Sequence, residues 1–357
     1  MEPLGLLRQL SEIHGPSGFE APIASFIADL WRPLAHEVVI DRLGNVIALK
    51  RGTGREPRRR VLLAAHMDEI GLLVADIVES HGHGFLRVVG LGGVDIRQLY
   101  SQPVLVHGRR LLPGVLGGAP TRLLAPEKQS KAYELEDLVV DVGLPAGDVR
   151  ELVQIGDCVS FQQPLVELRG GHVAGKALDN RACVAALTLA LENLQPRGHS
   201  WDVLAVATVQ EETRLLGAFT TAHTWRPDVA LALDVCFGKG PGANDSGTIA
   251  LGKGPVFDIG VNVHPGILEA LEKAAAAVEI KSARLTHARG SGTDAYGLQV
   301  AHTGIPTGVV SLPLRYMHTM VEVVQLKDVE RTGRLTAEFV ARLDDAFMDN
   351  LPKCLME

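Results

Sequence analysis

The chain has 357 residues, 46% of them hydrophobic and 22% charged, enough to form one large domain or two of ordinary size. Its formal charge is -7 and only 4% of its residues are aromatic. The charge argues against nucleic acid or an anionic membrane as the main partner, and the low aromatic content argues against a base-stacking surface.

Cysteine usage and the first residues bear on the compartment. The four cysteines form no CxxC pair, so a zinc ribbon or a thioredoxin-type site is not expected. The opening stretch MEPLGLLRQLSEIHG lacks the basic and apolar regions of a signal peptide, and no apolar run reaches the roughly 18 residues that span a bilayer. The sequence therefore predicts a cytoplasmic protein with reduced thiols.

Helical and strand patterns alternate over most of the chain. SGFE at residues 17–20 has capping-box spacing, but Pro22 moves the expected helix start to near Ala21. Apolar, branched runs predict buried strands at 61–65, 203–209 and 229–235, and helical patterns follow at 182–194, 266–278 and 328–347. Such strands separated by helices predict an α/β fold with a central sheet flanked by helices.

The middle of the chain has a different pattern. Residues 70–163 contain short β-rich pieces broken by glycine and proline, with KAYELEDLVVDVG as the one stretch that suggests a helix. We expect an inserted, small barrel-like domain there, and one discontinuous domain from residues 1–69 and 164–357. HGHG at 81–84 is better explained as a hairpin turn than as a metal site.

Polar residues follow several of the predicted strands. In AAHMDEIG, His66 and Asp68 lie two apart, so both side chains share a face, and Asp68 is placed to fix the tautomer of a metal-binding histidine. A salt-linked core histidine is the alternative. Asp179 precedes a helix and could be its N-cap, Asp234 ends a strand where α/β sheets bind ligands, and His318 taken alone could be structural.

Two adjacent glutamates, Glu211 and Glu212, end the apolar run VLAVATV. Carboxylates are seldom fully buried unless they are paired or bind metal. If the strand continues through them, their side chains point to opposite sides, and the two residues have different roles. A metal ligand is held ionised, whereas a general base must change its protonation state, so the two roles need two acids.

Together these residues form a mixed nitrogen and oxygen set suited to Zn²⁺, Co²⁺ or Mn²⁺. Three ligating carboxylates and a hydroxide balance two divalent ions, and paired ions activate water in aminopeptidases. The sequence has no nucleophile elbow, Walker A loop or dinucleotide fingerprint. Cys236 follows Asp234 by two positions and is expected to be a buried thiol.

The ordered motifs resemble the glutamyl aminopeptidase and tetrahedral (TET) aminopeptidase family of dinuclear metallopeptidases, some of whose members carry a cellulase or endoglucanase label. The matching stretches cover nearly the whole chain and are SGFE, HMDEIG, GKALDNRACVAAL, QEE, ALDV, GSGTDA and GIPTGVVSLPLRYMH. The resemblance implies a mixed sheet of zinc-exopeptidase type, and it makes residues 70–163 a dimerisation domain of an oligomer, often a dodecamer built from dimers.

The resemblance also implies a role for each candidate residue. Asp179 would bridge two metal ions, Zn²⁺ first and Co²⁺ or Mn²⁺ as alternatives. His66 and Asp234 would complete one site, and Glu212 and His318 the other. Asp68 would support His66, and Glu211 would be the general base.

Two departures from the family pattern concern the substrate pocket. TRLLG at 213–217 replaces the usual Val-Gly-Leu-Arg-Gly, and Thr319 and Met320 replace the usual Ser-Pro.

The sequence thus predicts a metal-dependent aminopeptidase that acts on peptides with a free N-terminus through a metal-bridged water. A deacylase acting on N-acyl amino acids and a non-catalytic metal-binding scaffold are the alternatives, and a glycanase is disfavoured because few aromatic side chains are available for stacking.

Overall fold

The computed structural model describes residues 1–351; Cys354 lies outside the described residues. The helices are α1 Pro3–Glu12, α2 Ala21–Trp31, α3 Ala146–Leu152, α4 Leu178–Asn193, α5 Glu211–Arg214, α6 Leu216–Trp225, α7 Pro265–Ala277, α8 Asp294–Gln299, α9 Leu326–Ala341 and α10 Phe347–Asn350. The strands are β1 Glu37–Ile40, β2 Val46–Lys50, β3 Arg60–His66, β4 Gly71–Ser80, β5 His83–Leu91, β6 Pro103–His107, β7 Leu111–Gly118, β8 Leu138–Pro145, β9 Cys158–Phe161, β10 Val166–Glu167, β11 His172–Gly175, β12 Asp202–Thr208, β13 Val229–Phe237, β14 Val256–Gly260, β15 Ala283–His287, β16 Thr307–Leu314 and β17 Glu322–Gln325.

An eight-stranded mixed sheet forms the centre of the molecule, in the order β1-β2-β12-β3-β13-β16-β14-β15. Its middle strands are fully buried because helices cover both faces, which is why their sequences are apolar throughout. One apolar cluster lies under α1, α2, α4, α7 and α9, and a smaller one lies on the other face with α6 and α8. The predicted α/β fold with a flanked mixed sheet is confirmed.

Four neighbouring strands of this sheet, β12, β3, β13 and β16, are parallel. Their carboxyl ends therefore meet at one edge. His66 is the last residue of β3, Asp234 lies in the carboxyl half of β13, and the loops after β12 and β16 carry the paired glutamates and His318. This topology alone gathers residues that are far apart in the sequence.

A closed barrel of six antiparallel strands, β4-β5-β8-β7-β6-β9, interrupts the α/β pattern. It runs from Gly71 to Phe161 and has an apolar cluster of its own. The barrel-like insertion is therefore confirmed as part of the fold, while the division at residues 70 and 163 stays a prediction. His81 and Gly82 form the β4–β5 turn, with φ values of 49° and 79°, so HGHG is a hairpin turn.

Three local predictions need correction. KAYELEDLVVDVG gives one short 3-10 helix and then β8, because its second half alternates buried and exposed residues as a strand does; the barrel's helix is α3 instead. The segment 328–347 is not one helix, because α9 ends at Ala341 and α10 begins only at Phe347. The capping-box spacing of SGFE is not used, because no side chain caps α2, while the expected start of α2 at Ala21 is confirmed.

Cys158, Cys183 and Cys236 are unpaired and buried. Among residues 1–351, no helix has the length and apolar character needed to cross a membrane.

Candidate metal centre

The predicted site residues lie together at the carboxyl edge of the parallel strands. His66 is at the centre of the group. Its Nε2 atom lies 3.1 Å from Asp179 Oδ1 and 3.8 Å from both Glu211 Oε2 and Asp234 Oδ1. Its Nδ1 atom faces Asp68, 3.4 Å from Oδ1, so the ring is oriented with Nε2 toward the other carboxylates.

His318 forms a second centre beside the first. Its Nε2 atom lies 3.4 Å from Asp179 Oδ2 and 3.4 Å from Glu212 Oε2. Asp179 thus turns one carboxylate oxygen toward each histidine. A carboxylate that faces two nitrogen donors in this way has the shape of a bridging ligand for two cations.

The spacing of the donor atoms suits small divalent ions. Two atoms that share one tetrahedral ion at about 2.0–2.1 Å lie roughly 3.3 Å apart. Three donor-atom distances fall close to that spacing, at 3.1–3.4 Å: His66–Asp179, His318–Asp179 and His318–Glu212. The donor atoms of His66, Glu211 and Asp234 all lie within 4.8 Å of one another. The same is true of the donor atoms of His66, Asp179 and Glu212. Distance alone therefore admits Glu211 as a ligand too.

The electrostatics of the cluster show a shortage of positive charge. Burial raises the pKa of Glu212 to about 8, and the Asp179 charge adds to the rise. Burial likewise raises the pKa of Glu211 and of Asp234 well above the usual carboxyl range. Burial would do the same to Asp179, but hydrogen bonds from both histidines lower its pKa. Two divalent cations would supply the missing charge and keep all these carboxylates ionised.

The paired glutamates are placed by a helix and not by a strand, which corrects the expectation. β12 ends at Thr208, and Glu211 begins the four-residue helix α5. Successive side chains of a helix diverge by about 100° rather than 180°. They still separate, since Glu211 faces His66 and Glu212 faces His318. Glu211 and Glu212 therefore lie in different environments, although the predicted strand at these residues was wrong.

Asp68 has a second task that the sequence did not reveal. Its two carboxylate oxygens accept hydrogen bonds from the backbone N–H groups of Glu211 and Glu212, each at 3.1 Å. Asp68 is fully buried. One carboxylate thus orients His66 and anchors the start of α5, where backbone N–H groups have no partner within the helix.

Asp179 does not act as a simple helix N-cap. It lies inside α4, but its backbone dihedrals (φ -80°, ψ 99°) and those of Asn180 are non-helical. The interruption frees the side chain to face the two histidines. Ala177, with φ 57°, turns the chain into the helix just before it.

Residues 44–335 match the model of the M42 glutamyl aminopeptidase family. The chain belongs to the M42 family. This M42 chain is 36% identical over 347 residues to the lysyl aminopeptidase of Pyrococcus furiosus, with 95% of this chain and 96% of the relative covered.

Solved structures of the family share the fold of this M42 protein. The TET aminopeptidase of a marine sediment archaeon of the Thaumarchaeota superposes with a TM-score of 0.91 at 31% identity, with 98% of this chain and 99% of that one covered. The Pyrococcus horikoshii TET1 peptidase, described as assembling into a tetrahedron or a large octahedral shell, gives a TM-score of 0.84 at 31% identity over 96% and 100% of the two chains. The recognition of the TET aminopeptidase family from its motifs is confirmed.

Sequence reasoning on the M42 chain missed Glu322. Its Oε2 atom accepts the backbone N–H of Asp179 at 2.9 Å, and its Oε1 atom accepts that of His318 at 2.9 Å. Glu322 is buried, and burial raises its pKa well above the usual range. One side chain therefore fixes the backbone of two candidate ligands. Its position in the apolar run MVEVV, as a lone acid in a buried strand, was the available signal.

The barrel of the M42 chain also reaches the candidate metal centre. His318 Nδ1 donates a hydrogen bond to the backbone carbonyl of Gly93, at 2.9 Å, from the loop after β5. A Cβ atom on Gly93 would lie only 2.5 Å from that nitrogen. The close approach requires glycine there, and the paired glycines of GLGG were the available signal. The insertion thus orients a candidate ligand.

A cavity of about 650 Å³ opens over the candidate metal centre. Thr213, Arg214 and Leu215 line it, so the first departure from the family pattern lies in the cavity wall as expected. Met320, from the second departure, instead packs in the core of the barrel. Cys236 is buried and also forms part of the wall.

Proposed function

We propose that this M42 protein is a dinuclear metal-dependent aminopeptidase that removes N-terminal amino acids from peptides, with Glu211 as the general base. The observation that carries the proposal is Asp179, whose two carboxylate oxygens face two different histidines at 3.1 and 3.4 Å. The family membership supports the activity, since the M42 family and the Pyrococcus furiosus relative are both named as aminopeptidases.

The residues fit two divalent cations. His66, Asp179 and Asp234 would hold one, and Asp179, Glu212 and His318 would hold the other. The donor set of imidazole and carboxylate suits Zn²⁺, with Co²⁺ and Mn²⁺ as alternatives. When bound, such cations polarise the carbonyl of the first peptide bond and make a water acidic enough to supply the nucleophile.

Glu211 is assigned to proton transfer on the family resemblance. Its Oε2 atom lies 3.8 Å from His66 Nε2, as far as Asp234 Oδ1, so the assignment rests on the resemblance and not on distance. In this role Glu211 accepts the proton of the attacking water and then donates it to the departing amine. Asp68 supports both acids by holding the first N–H groups of α5.

The identity of the released residue is not fixed by the relatives. The family is described as glutamyl and the Pyrococcus furiosus relative as lysyl, two side chains of opposite charge. We also propose that the protein is cytoplasmic, that it forms dimers through the barrel, and that these dimers assemble into a dodecamer. The assembly named for the Pyrococcus horikoshii TET1 peptidase supports self-association.

The proposal is tested with aminoacyl anilides and with N-acetylated amino acids, using protein loaded with Zn²⁺, Co²⁺ or Mn²⁺. We expect release of the aniline from the aminoacyl anilides and no release of acetate from the acetylated amino acids. Release of acetate without cleavage of the anilides would identify a deacylase instead. If metal-loaded protein hydrolysed neither series nor a set of free peptides, a metal-binding scaffold would replace the enzyme.

A further inference from the structure

The motif SGFE contains a buried carboxylate that neither a helix cap nor the proposed reaction explains. Glu20 is only 5% exposed. Its Oε1 atom accepts the backbone N–H of Gly18 at 2.7 Å and that of Gln210 at 3.0 Å. The first contact is local, whereas the second joins positions that are 190 residues apart. Gln210 immediately precedes Glu211, so Glu20 contacts the chain next to the proposed general base.

Gln210 has a backbone conformation that must be held in place. Its φ of 56° and ψ of 34° lie in the left-handed region, which a residue with a side chain seldom adopts. Leu215, at the other end of α5, is also left-handed, with a φ of 60°. A helix of four residues between two such turns is too short to be stable by itself. The position of Glu211 therefore depends on contacts from outside the helix.

Three buried side chains on other elements make those contacts. Four successive backbone N–H groups, those of residues 209–212, each donate to a side-chain oxygen. Asn45 accepts the first at 3.0 Å, Glu20 accepts the second, and Asp68 accepts the third and the fourth. All three acceptors are at most 5% exposed, and a buried N–H that loses its acceptor is costly. Glu20 accepts the N–H at the left-handed turn itself.

The loop that carries Glu20 is itself held on two sides. On one side, the backbone N–H of Glu69 donates to the Gly15 carbonyl at 3.1 Å, and the Glu69 carbonyl accepts the N–H of Ser17 at 3.0 Å. On the other side, Ser17 Oγ lies 3.3 Å from Thr213 Oγ1 of α5. The loop thus joins the segment after β3 to the start of α5, and Glu20 is its contact with the turn.

We propose that Glu20 is a positioning residue for Glu211, which it places by fixing the left-handed turn at Gln210. The inference rests on the proposed function, in which Glu211 transfers the proton. Glu20 belongs to neither group of candidate metal ligands and does not line the cavity over the candidate metal centre. Its loss should therefore lower kcat while metal content and KM stay close to their wild-type values, since a small displacement of a reacting group is costly.

The two hydrogen bonds of Glu20 do not need a charged acceptor. Burial raises the pKa of Glu20 to about 7, and both N–H groups donate to the same oxygen, Oε1. The carbonyl oxygen of a glutamine can take the place of that oxygen. Glu20→Gln should keep kcat within about threefold of the wild type, whereas Glu20→Ala should lose roughly 10- to 100-fold. Similar losses in both variants would contradict the inference. Glu151→Ala, at an exposed position of α3, is the control and should keep the wild-type kcat.

A double-mutant cycle tests whether Glu20 acts through Glu211. Without a carboxylate at position 211 there is no base to misplace, so Glu20→Ala should change kcat less than about threefold in the Glu211→Gln background. A residue with only a structural role would cost the same factor in both backgrounds. Equal losses would therefore overturn the inference and leave the aminopeptidase proposal standing.

Hydrogen exchange of metal-loaded protein tests the placement without a substrate. Glu20→Ala should speed the exchange of the amides at residues 209–213 by at least about tenfold and leave the amides of the barrel unchanged. Glu20→Asp, which shortens the side chain by one methylene group, takes the place of Glu20→Ala if the latter does not fold. Wild-type exchange at 209–213 would overturn the inference. Faster exchange there, in a protein that cleaves no peptide, would retain the contact with the turn and reject the proposed activity.

Discussion

The side chain of Glu322 fixes the backbone of Asp179, because its Oε2 atom accepts the N–H of Asp179 at 2.9 Å in a site closed to solvent. Its second oxygen holds His318 in the same way. Each carboxylate oxygen of Glu322 accepts one of these hydrogen bonds, whereas an amide would place an NH2 donor opposite one of the two N–H groups. The relative position of two candidate ligands therefore depends on one buried side chain that is not itself a candidate ligand.

Glu322→Gln is expected to weaken metal binding without removing a ligand. Loss of a group that orients ligands typically lowers metal affinity by about 10- to 100-fold. Calorimetric titration of metal-free protein with Zn²⁺ measures this directly. Glu330→Gln, at an exposed position of α9, is the control and should bind as the wild type does. Wild-type affinity in Glu322→Gln would show that the clamp is not needed.

Glu211→Gln and Glu212→Gln should separate catalysis from metal binding. The first should keep nearly all its metal and lose about 10²- to 10⁴-fold in kcat, the range for a lost general base. The second should lose one ion and regain activity when metal is added. Metal content and kcat are measured on the same samples. Metal loss in Glu211→Gln with retention in Glu212→Gln would reverse the two roles.

Gly93→Ala should damage the centre from the barrel side. The new Cβ would lie 2.5 Å from His318 Nδ1, so either the ring or the loop must move. We expect weaker binding of the ion shared with Glu212, and a loss of kcat/KM of at least tenfold, since small displacements of catalytic groups are costly. Gly90→Ala is the control, because nothing lies within 4 Å of its Cβ. Similar metal binding and kcat/KM in both variants would show that the close approach of Gly93 to His318 does not constrain the site.

His14 should make stability depend on pH. Burial and the nearby Lys176 lower the pKa of His14 to about 4 from its usual 6.5, so the folded chain keeps it neutral. The unfolded chain takes up the proton first as the pH falls, and stability is therefore present above about pH 6.5 and lost toward pH 4.

His14→Asn should accordingly show the uptake of about one proton fewer on unfolding near pH 5. Urea unfolding between pH 7 and pH 4.5 gives the slope of the free energy of unfolding against pH. His83→Asn, at an exposed position of β5, serves as the control and should keep the wild-type slope. An unchanged slope in His14→Asn would contradict the assignment.

Self-association is expected to depend on the barrel. Light scattering of the intact protein should give a dimer or a larger particle, with a dodecamer as the expected end state. Deletion of residues 70–163 should give monomers, if the product is soluble. A monomer over a wide range of concentrations for the intact chain would count against the assembly.

Local patterns predicted the central sheet because its middle strands are apolar along their whole length. β3, β12 and β13 were visible as short branched runs, and the parallel order of their ends then brings His66 and Asp234 together. The predicted backbone of Glu211 was wrong because β12 stops at Thr208 and the short helix that follows depends on the anchoring by Asp68.

The residues that were missed act through contacts that no local pattern records. Glu322 and Asp179 are 143 positions apart, and Gly93 and His318 are 225 apart. Long-range pairing determines such positions, so the sequence shows their residue types without their roles.

The central claim is that Asp179 joins two divalent cations in one active centre. The most direct test is to titrate metal-free protein with Zn²⁺ or Co²⁺ and follow bound metal per chain and aminopeptidase activity together, for the wild type and for Asp179→Ala. The account predicts full activity at close to two ions per chain, and weakened binding of both ions in the variant. Full activity with no more than one ion per chain, or loss of a single ion in Asp179→Ala, would contradict it.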